Sequence, residues 1–311
     1  MTLGCGMSGT PRRASPGPTR KWRMTMAEGQ PQDAAPRRMR RGRGDVYIGV
    51  QGFSSRDWVG TFYPTGWPAQ EFLPFYSQVF DSVELNTTFY AIPPVSTVQA
   101  WARRTPPGFV FTTKLPRAIT HDKKLLDVKG ELYAFIDSVR PLGAKLGAAV
   151  VQFPPSFTRQ RFADRFRAFL LLLPEWPRFA VEFRSRSWHN EDVFDLLREF
   201  RVAWCINHWQ NLPAVVEATT DFAYLRLVGH HDQSTHLGRL QRDRSEELAS
   251  LSDMIRGLSA RLGRVYVYVN NHYEGHAPAT VTRLKALLGL PTVEPLSLWP
   301  QRQGMLPGMP G

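Results

Sequence analysis

Cysteine is scarce: 311 residues hold only Cys5 and Cys205, and no CxxC pair. That excludes a disulfide framework and a thiolate zinc site. Cys205 lies in the apolar run Val202-Ala203-Trp204-Cys205-Ile206 and reads as a small core residue. No apolar run approaches the ~18 residues of a membrane-spanning helix. The N-terminus also lacks the apolar core of a secretory signal, so the expectation is a cytoplasmic protein with no membrane partner. HExxH is missing, and so is GxGxxG, since the first β-rich run ends in Gly49-Val50-Gln51-Gly52-Phe53. An open dinucleotide-binding sheet is therefore disfavoured. Acidic residues are also few, 27 against 39 basic ones, for a formal net charge of +12. Residues 1–44 hold ten of those basic side chains against only Glu28 and Asp33. The remaining chain carries a modest excess, which alone does not identify a nucleic-acid binder.

What is present suits a globular protein: 42% hydrophobic and 21% charged residues can build a substantial core. Residues 1–44 are rich in Pro, Gly and Arg, show no apolar periodicity, and are expected to form a disordered basic tail. Met24, Met26 and Met39 offer later translation starts within it. Residues 291–311 read as a loose C-terminal tail. Between them, over 45–290, eight β-rich runs alternate with helical periodicity: Val46–Val50, Ser82–Asn86, Phe109–Lys114, Ala148–Phe153, Phe179–Arg184, Val202–Asn207, Phe222–Leu227 and Val265–Asn270. Such alternation signals β-α units and a parallel sheet. A single (β/α)₈ TIM-type barrel, commonly about 250 residues, is the expected fold. Helices are expected over Pro68–Phe80 and over Asn190–Phe200, the latter capped by Asn190 with Glu191 and Asp192 at its positive end. The link from Asn207 to Asp221 has little helical pattern, so the sixth unit should be irregular.

In such a barrel the functional end is formed by the strand C-termini, and each run here ends in polar residues. They are Gln51 and Ser54, Glu84 and Asn86, Lys114, Gln152, Glu182 and Arg184, Asn207 and His208, Arg226, and Asn270 with Asn271. Strand alternation puts Glu84 with Asn86, Glu182 with Arg184, and Tyr224 with Arg226 on one face. Two carboxylates, a lysine, two arginines and several amides would then share one pocket, where they should pair with one another or with a ligand. His121, in Ile119-Thr120-His121-Asp122, is a candidate proton carrier or a loop cap. Histidines after the last two runs (His230, His231, His236, His272, His276) read as solvated loop residues. No organic cofactor is expected; a divalent metal would draw on Glu84, Glu182 and His208. Trp58 in the loop after the first run, with Trp188 and Trp209, either walls the pocket or seals the barrel top.

Several motifs in order, Val83-Glu84-Leu85-Asn86-Thr87-Thr88-Phe89-Tyr90, Lys114-Leu115-Pro116-Arg117-Ala118-Ile119-Thr120-His121 and Val151-Gln152-Phe153-Pro154-Pro155-Ser156-Phe157, resemble the YecE-like family, domain of unknown function 72. Val181-Glu182-Phe183-Arg184 with Ser187-Trp188, Tyr224-Leu225-Arg226-Leu227 and Tyr266-Val267-Tyr268-Val269-Asn270-Asn271 extend the resemblance over about residues 46–290. It implies a TIM-type barrel and no established reaction. The chain departs at Gly52-Phe53, where the family usually has Gly-Trp, and over His230–Arg244.

The expected function is an enzyme, a hydrolase or isomerase, acting on a small anionic or phosphorylated substrate at the barrel mouth. Glu84, Lys114, His121 and Glu182 are the candidate catalytic residues, and Asn86, Gln152, Arg184, Arg226, Asn270 and Asn271 the substrate-binding ones. The alternatives are a nucleic-acid-binding protein using the basic tail and an aromatic mouth, or a non-catalytic ligand sensor. Nothing in the sequence specifies an oligomeric state.

Overall fold

Runs rich in β-branched and aromatic residues form eight strands: β1 (Asp45–Gln51), β2 (Ser82–Leu85), β3 (Val110–Lys114), β4 (Leu146–Gln152), β5 (Phe179–Glu182), β6 (Ala203–His208), β7 (Phe222–Leu227) and β8 (Arg264–Val269). Each pairs in parallel with its chain neighbour, and β8 pairs with β1, closing the barrel in sequence order. The computed structural model describes residues 44–209, 212, 214–229 and 236–300. The tail expected over 1–44 thus lies, but for Gly44, outside the described residues, as do His230 and His231.

The helices are α1 (Phe72–Val79), α2 (Thr87–Tyr90), α3 (Val95–Arg103), α4 (Lys129–Val139), α5 (Arg159–Leu170), α6 (Glu191–Glu199), α7 (Ser245–Ser259) and α8 (Ala277–Leu288). The helix expected from Pro68 begins as a 3₁₀ turn, Ala69–Glu71, and continues as α1. Asn190 caps α6 as expected, its Oδ1 accepting from the Val193 N–H at 3.3 Å. Between β6 and β7 the described residues form no helix, in keeping with the thin pattern there. The connection is instead tied to β6 by side chains. Thr219 Oγ1 accepts from the Trp204 N–H at 2.8 Å and donates to the Val202 carbonyl at 2.6 Å. Residues 291–300, expected to belong to a loose tail, contain a 3₁₀ turn, Pro295–Leu298. Val293, Leu298 and Trp299 pack on the core, and Trp299 Nε1 donates to the Phe62 carbonyl at 3.2 Å.

Strand alternation sorts the side chains into two cores. Outward residues such as Val50, Val83, Phe111, Val151, Leu225 and Val267 meet the helices in one large apolar cluster. Inward ones form a second: Val110, Ala148, Val150, Ala180, Ala203, Cys205, Phe222, Tyr224, Tyr266 and Tyr268. Alanines on β4, β5 and β6 leave room for three tyrosines from β7 and β8, so the lower barrel is filled rather than hollow. Cys205 is buried there as a free thiol, as its apolar neighbours suggested.

Glycine is required at Gly49 in this wall. A Cβ on Gly49 would meet the Ser82 carbonyl oxygen at 1.9 Å. Beside that gap the Tyr76 hydroxyl of α1 enters the β1–β2 seam, accepting from the Val50 N–H and donating to the Ser82 carbonyl, both at 2.9 Å. Tyr76→Phe is expected to leave both backbone groups unsatisfied and to cost roughly 1–3 kcal/mol of stability without changing the fold. Urea denaturation with circular dichroism checks this, and an unchanged midpoint would show the hydroxyl to be dispensable.

Candidate functional site

Two residues beyond the apolar inner positions, the same alternation brings Gln51, Glu84, Lys114, Gln152, Glu182, Asn207 and Arg226 to the carboxyl end of the barrel, one from each of β1 to β7. Asn270 follows β8 directly. Glu84 and Glu182, from β2 and β5, are fully buried, and Arg226 of β7 lies between them. Arg226 Nε and Nη2 donate to Glu84 Oε2 and Oε1 at 3.0 and 2.8 Å, a fork-on-fork pairing. Its Nη1 donates to Glu182 Oε2. Glu182 Oε1 accepts from Arg184 Nε at 2.9 Å and from Asn207 Nδ2 at 3.0 Å. Burial would raise the Glu182 carboxyl, but the Arg226 and Arg184 guanidinium groups outweigh it and hold the pKa at about 2. Beneath, the Tyr224 hydroxyl donates to Glu84 Oε2 at 2.7 Å and meets Thr112 Oγ1 at 2.9 Å, while Tyr268 meets Ser82 Oγ at 2.6 Å.

Lys114 is held differently. The Thr88 hydroxyl of α2 accepts from the Lys114 N–H at 3.0 Å and donates to its carbonyl at 2.7 Å. Because α2 starts directly after β2, this clamp sets Phe89 over the lysine, with Nζ 3.8 Å from the ring centroid. The ammonium has no hydrogen bond or ion pair among the described residues. Burial first, and then the Arg226 guanidinium, lower its pKa to about 7 against the opposing pull of Glu182 and Glu84. His121 packs edge-on against the same Phe89, centroids 5.0 Å apart, and bonds Thr120 Oγ1 through Nδ1 at 2.9 Å. Burial and the Lys114 charge push its imidazole down to about 4, so it is neutral near pH 7. Arg184 uses only Nε on Glu182. Its guanidinium lies 5.2 Å from the Trp209 ring centroid, and its terminal nitrogens make no hydrogen bond among the described residues.

Residues 47–303 match the model of the family described as "Protein of unknown function DUF72". The chain belongs to the DUF72 family. It is similar to the UPF0759 protein YunF of Bacillus subtilis (strain 168), 27% identical over 272 residues that cover 79% of this chain and 95% of that protein. It is also similar to the UPF0759 protein YecE of Escherichia coli (strain K12), 30% identical over 139 residues, 45% of this chain and 48% of that one. The crystal structure of a DUF72 family protein (TM1631) from Thermotoga maritima MSB8 resembles it with a TM-score of 0.67 and 32% identity, over 79% of this chain and 99% of that one. The DUF72 membership agrees with the motifs and with the closed barrel.

Of the site residues expected from sequence, Glu84, Glu182, Arg184 and Arg226 touch directly in this DUF72 barrel, with Lys114 close enough to feel all four charges. The amides are used locally. Gln152 Nε2 donates to the Phe153 carbonyl at 2.6 Å, and Asn270 Nδ2 to Gln51 Oε1 at 2.9 Å. Asn271 Oδ1 accepts from Trp58 Nε1 at 3.2 Å and from the Ala277 N–H at 3.1 Å, so it joins the first loop to the start of α8. Asn86 Oδ1 is buried with no hydrogen-bond partner.

Of the two roles left open for Trp58 and Trp188, walling the mouth is not the one they take, because both are almost wholly buried. Trp188 stacks on Phe183 and Phe157 at 4.3 and 5.6 Å and donates to the Phe157 carbonyl at 2.7 Å. They seal the barrel top, and Trp209 alone of the three meets a mouth residue. The metal set Glu84, Glu182 and His208 is not assembled either. The alternation that turns Asn207 inward turns His208 outward, toward Glu247 at 4.0 Å, while Arg226 occupies both glutamates. Among the described residues no group of three or more His, Cys, Asp or Glu stands ready to hold a metal ion, and no helix is long and apolar enough to cross a membrane.

The sequence places Asn207 at a strand end and Tyr224 on the face of Arg226 without giving either a role in the site, and it does not reveal Phe89 as the cover of Lys114. The first two were accessible by counting inward positions along β6 and β7. Phe89 was not, because its placement depends on the Thr88 clamp. Arg226→Leu is expected to leave buried Glu84 without a counter-ion and Glu182 with Arg184 alone, and to cost roughly 3–5 kcal/mol. Adding Glu84→Gln should restore much of that loss, with urea midpoints of the three proteins as the measure.

Proposed function

We propose that this DUF72 protein is an enzyme that binds a small anionic, preferably phosphorylated, molecule at the carboxyl end of its barrel. The observation that carries the reading is the uneven use of charge there. Glu84 and Glu182 are neutralised within the wall, whereas the Lys114 ammonium and the terminal nitrogens of Arg184 have no hydrogen-bond or ion-pair partner among the described residues. Donors in that state are suited to an anion entering from the mouth, and each charge-assisted hydrogen bond adds roughly 1.5–3 kcal/mol. A general acid or base works best with a pKa near the working pH. The Lys114 ammonium at about 7 meets that condition, and the Glu182 carboxyl at about 2 does not. In this reading Lys114 handles the proton, Arg184 holds the anion, and Glu84 and Glu182 position Arg226 and Arg184. Hydrolysis or isomerisation fits such a set without an organic cofactor. A sensor with the same pocket would bind without turnover.

Inorganic phosphate, pyrophosphate and a panel of sugar phosphates should raise the melting temperature of the protein. Isothermal titration with the best of them should show a dissociation constant at least tenfold weaker for Arg184→Ala and for Lys114→Ala. The protonated lysine prevails below its pKa, so affinity should be fully present below pH about 6 and should fall as the pH rises through about 7. Alanine variants that bind all these anions as the parent does would remove the pocket.

A further inference from the structure

The seven lysines of the chain are few enough to compare one by one. Three besides Lys114 are buried or half-buried: Lys145 and Lys285 are bound to oxygen, and half-buried Lys124 stands 5.8 Å from the Phe162 ring centroid. Lys145 Nζ donates to the Ala102 carbonyl, the Thr105 carbonyl and Thr105 Oγ1 at 2.6, 2.8 and 3.0 Å. Lys285 Nζ is bound to Asp81 Oδ2 at 3.0 Å. Lys123 pairs with Glu131, and Lys129 stands exposed at the start of α4. Lys114 alone among the described lysines combines burial with an apolar ring as the only close companion of its nitrogen. The ionic groups that face it are Arg226, Glu182, Glu84 and Arg184, with His121 beyond Phe89. Both carboxylates in that set are already bound to the two arginines.

An amine in such a place spends much of its time neutral at physiological pH, since desolvation and neighbouring cations disfavour the ammonium. A neutral amine with a free lone pair at the open end of a barrel strand is a nucleophile. We infer that Lys114 forms an imine with the aldehyde or ketone of a small substrate whose anionic group is held by Arg184. The inference rests on the anion-binding reading above and deepens it by naming the electrophile. The Nζ lone pair attacks the carbonyl carbon, forming a C–N bond as the carbon–oxygen π bond breaks and the oxygen takes a proton. Nitrogen loses one proton to give the neutral carbinolamine; the hydroxyl takes a second proton and leaves as water as the nitrogen lone pair forms C=N, and the resulting iminium releases its N–H proton. The sum is amine plus carbonyl giving imine plus water, with no oxidant or reductant. The imine can then act as an electron sink for bond cleavage or proton transfer at the adjacent carbon, which is compatible with isomerase chemistry.

The test uses two probes, glyceraldehyde 3-phosphate and glyceraldehyde, each with sodium cyanoborohydride, whose hydride reduces an imine to a stable secondary amine. Peptide mass spectrometry then reads the extent of modification at each lysine. Lys114 should be modified by glyceraldehyde 3-phosphate at least tenfold faster than exposed Lys129, with a rate that rises through pH about 7, and inorganic phosphate should suppress it. Lys114→Arg should lose the adduct, whereas Lys129→Arg should leave the rate at Lys114 unchanged. If Lys114 reacts no faster than Lys129 although phosphate binds, imine formation is overturned and the anion pocket stands. If both probes modify Lys114 rapidly and equally, and phosphate has no effect, the imine stands and the anionic substrate class is overturned.

Discussion

The upper barrel depends on one guanidinium. Arg226 reaches from β7 to carboxylates on β2 and β5, in an interior whose lower part is closed by tyrosines and alanines. A lone buried carboxylate costs several kcal/mol, and two facing each other cost more. A planar group with five donors can engage both at once, which a lysine ammonium cannot do with the same geometry. Tyr224 supports Glu84 from below, and Asn207 with Arg184 completes Glu182. These bonds fix both carboxylates against the wall, and with them the positions from which the mouth is built.

That arrangement separates charges into an inner set, which is satisfied, and a rim set, which is not satisfied among the described residues. Lys114 is kept out of the inner set by distance and by Phe89, which shields the nitrogen without accepting a proton from it. The short helix α2 therefore shapes the surroundings of Lys114. Its Thr88 ties the end of β3, and its Phe89 sets the dielectric around the lysine and contacts His121 on another side. The low pKa of both Lys114 and His121 has one origin, burial beside cations whose counter-charges are already spent on each other.

Burial also explains why Trp58 and Trp188 lend no ring face to the mouth. Trp58 packs with Phe62 and Tyr63, and Trp188 with Phe157, Phe166 and Phe183, in stacks that close the top of the helical layer. Their indole N–H groups bond to Asn271 and to the Phe157 carbonyl. Such rings are spent on stability, and a nucleic-acid reading that relies on them loses its stacking surface.

All eight strands, the irregular sixth unit and the cap at Asn190 were legible in the sequence, because they follow from local pattern: apolar alternation, turn residues and a capping side chain. The end of each strand that would carry polar groups was legible for the same reason, and so were Glu84, Lys114, Glu182, Arg184 and Arg226. What each group does there was not. Asn271 and Gln152 look like pocket amides in sequence but satisfy backbone and loop groups, and His208 falls on the wrong side of β6 to join the glutamates. Those outcomes depend on which side chains meet across the barrel, over separations of up to 142 residues for Arg226 and Glu84. Periodicity determined where the polar residues stand along the chain; only closure of the barrel decided which charges cancel and which buried ammonium has no counter-ion among the described residues.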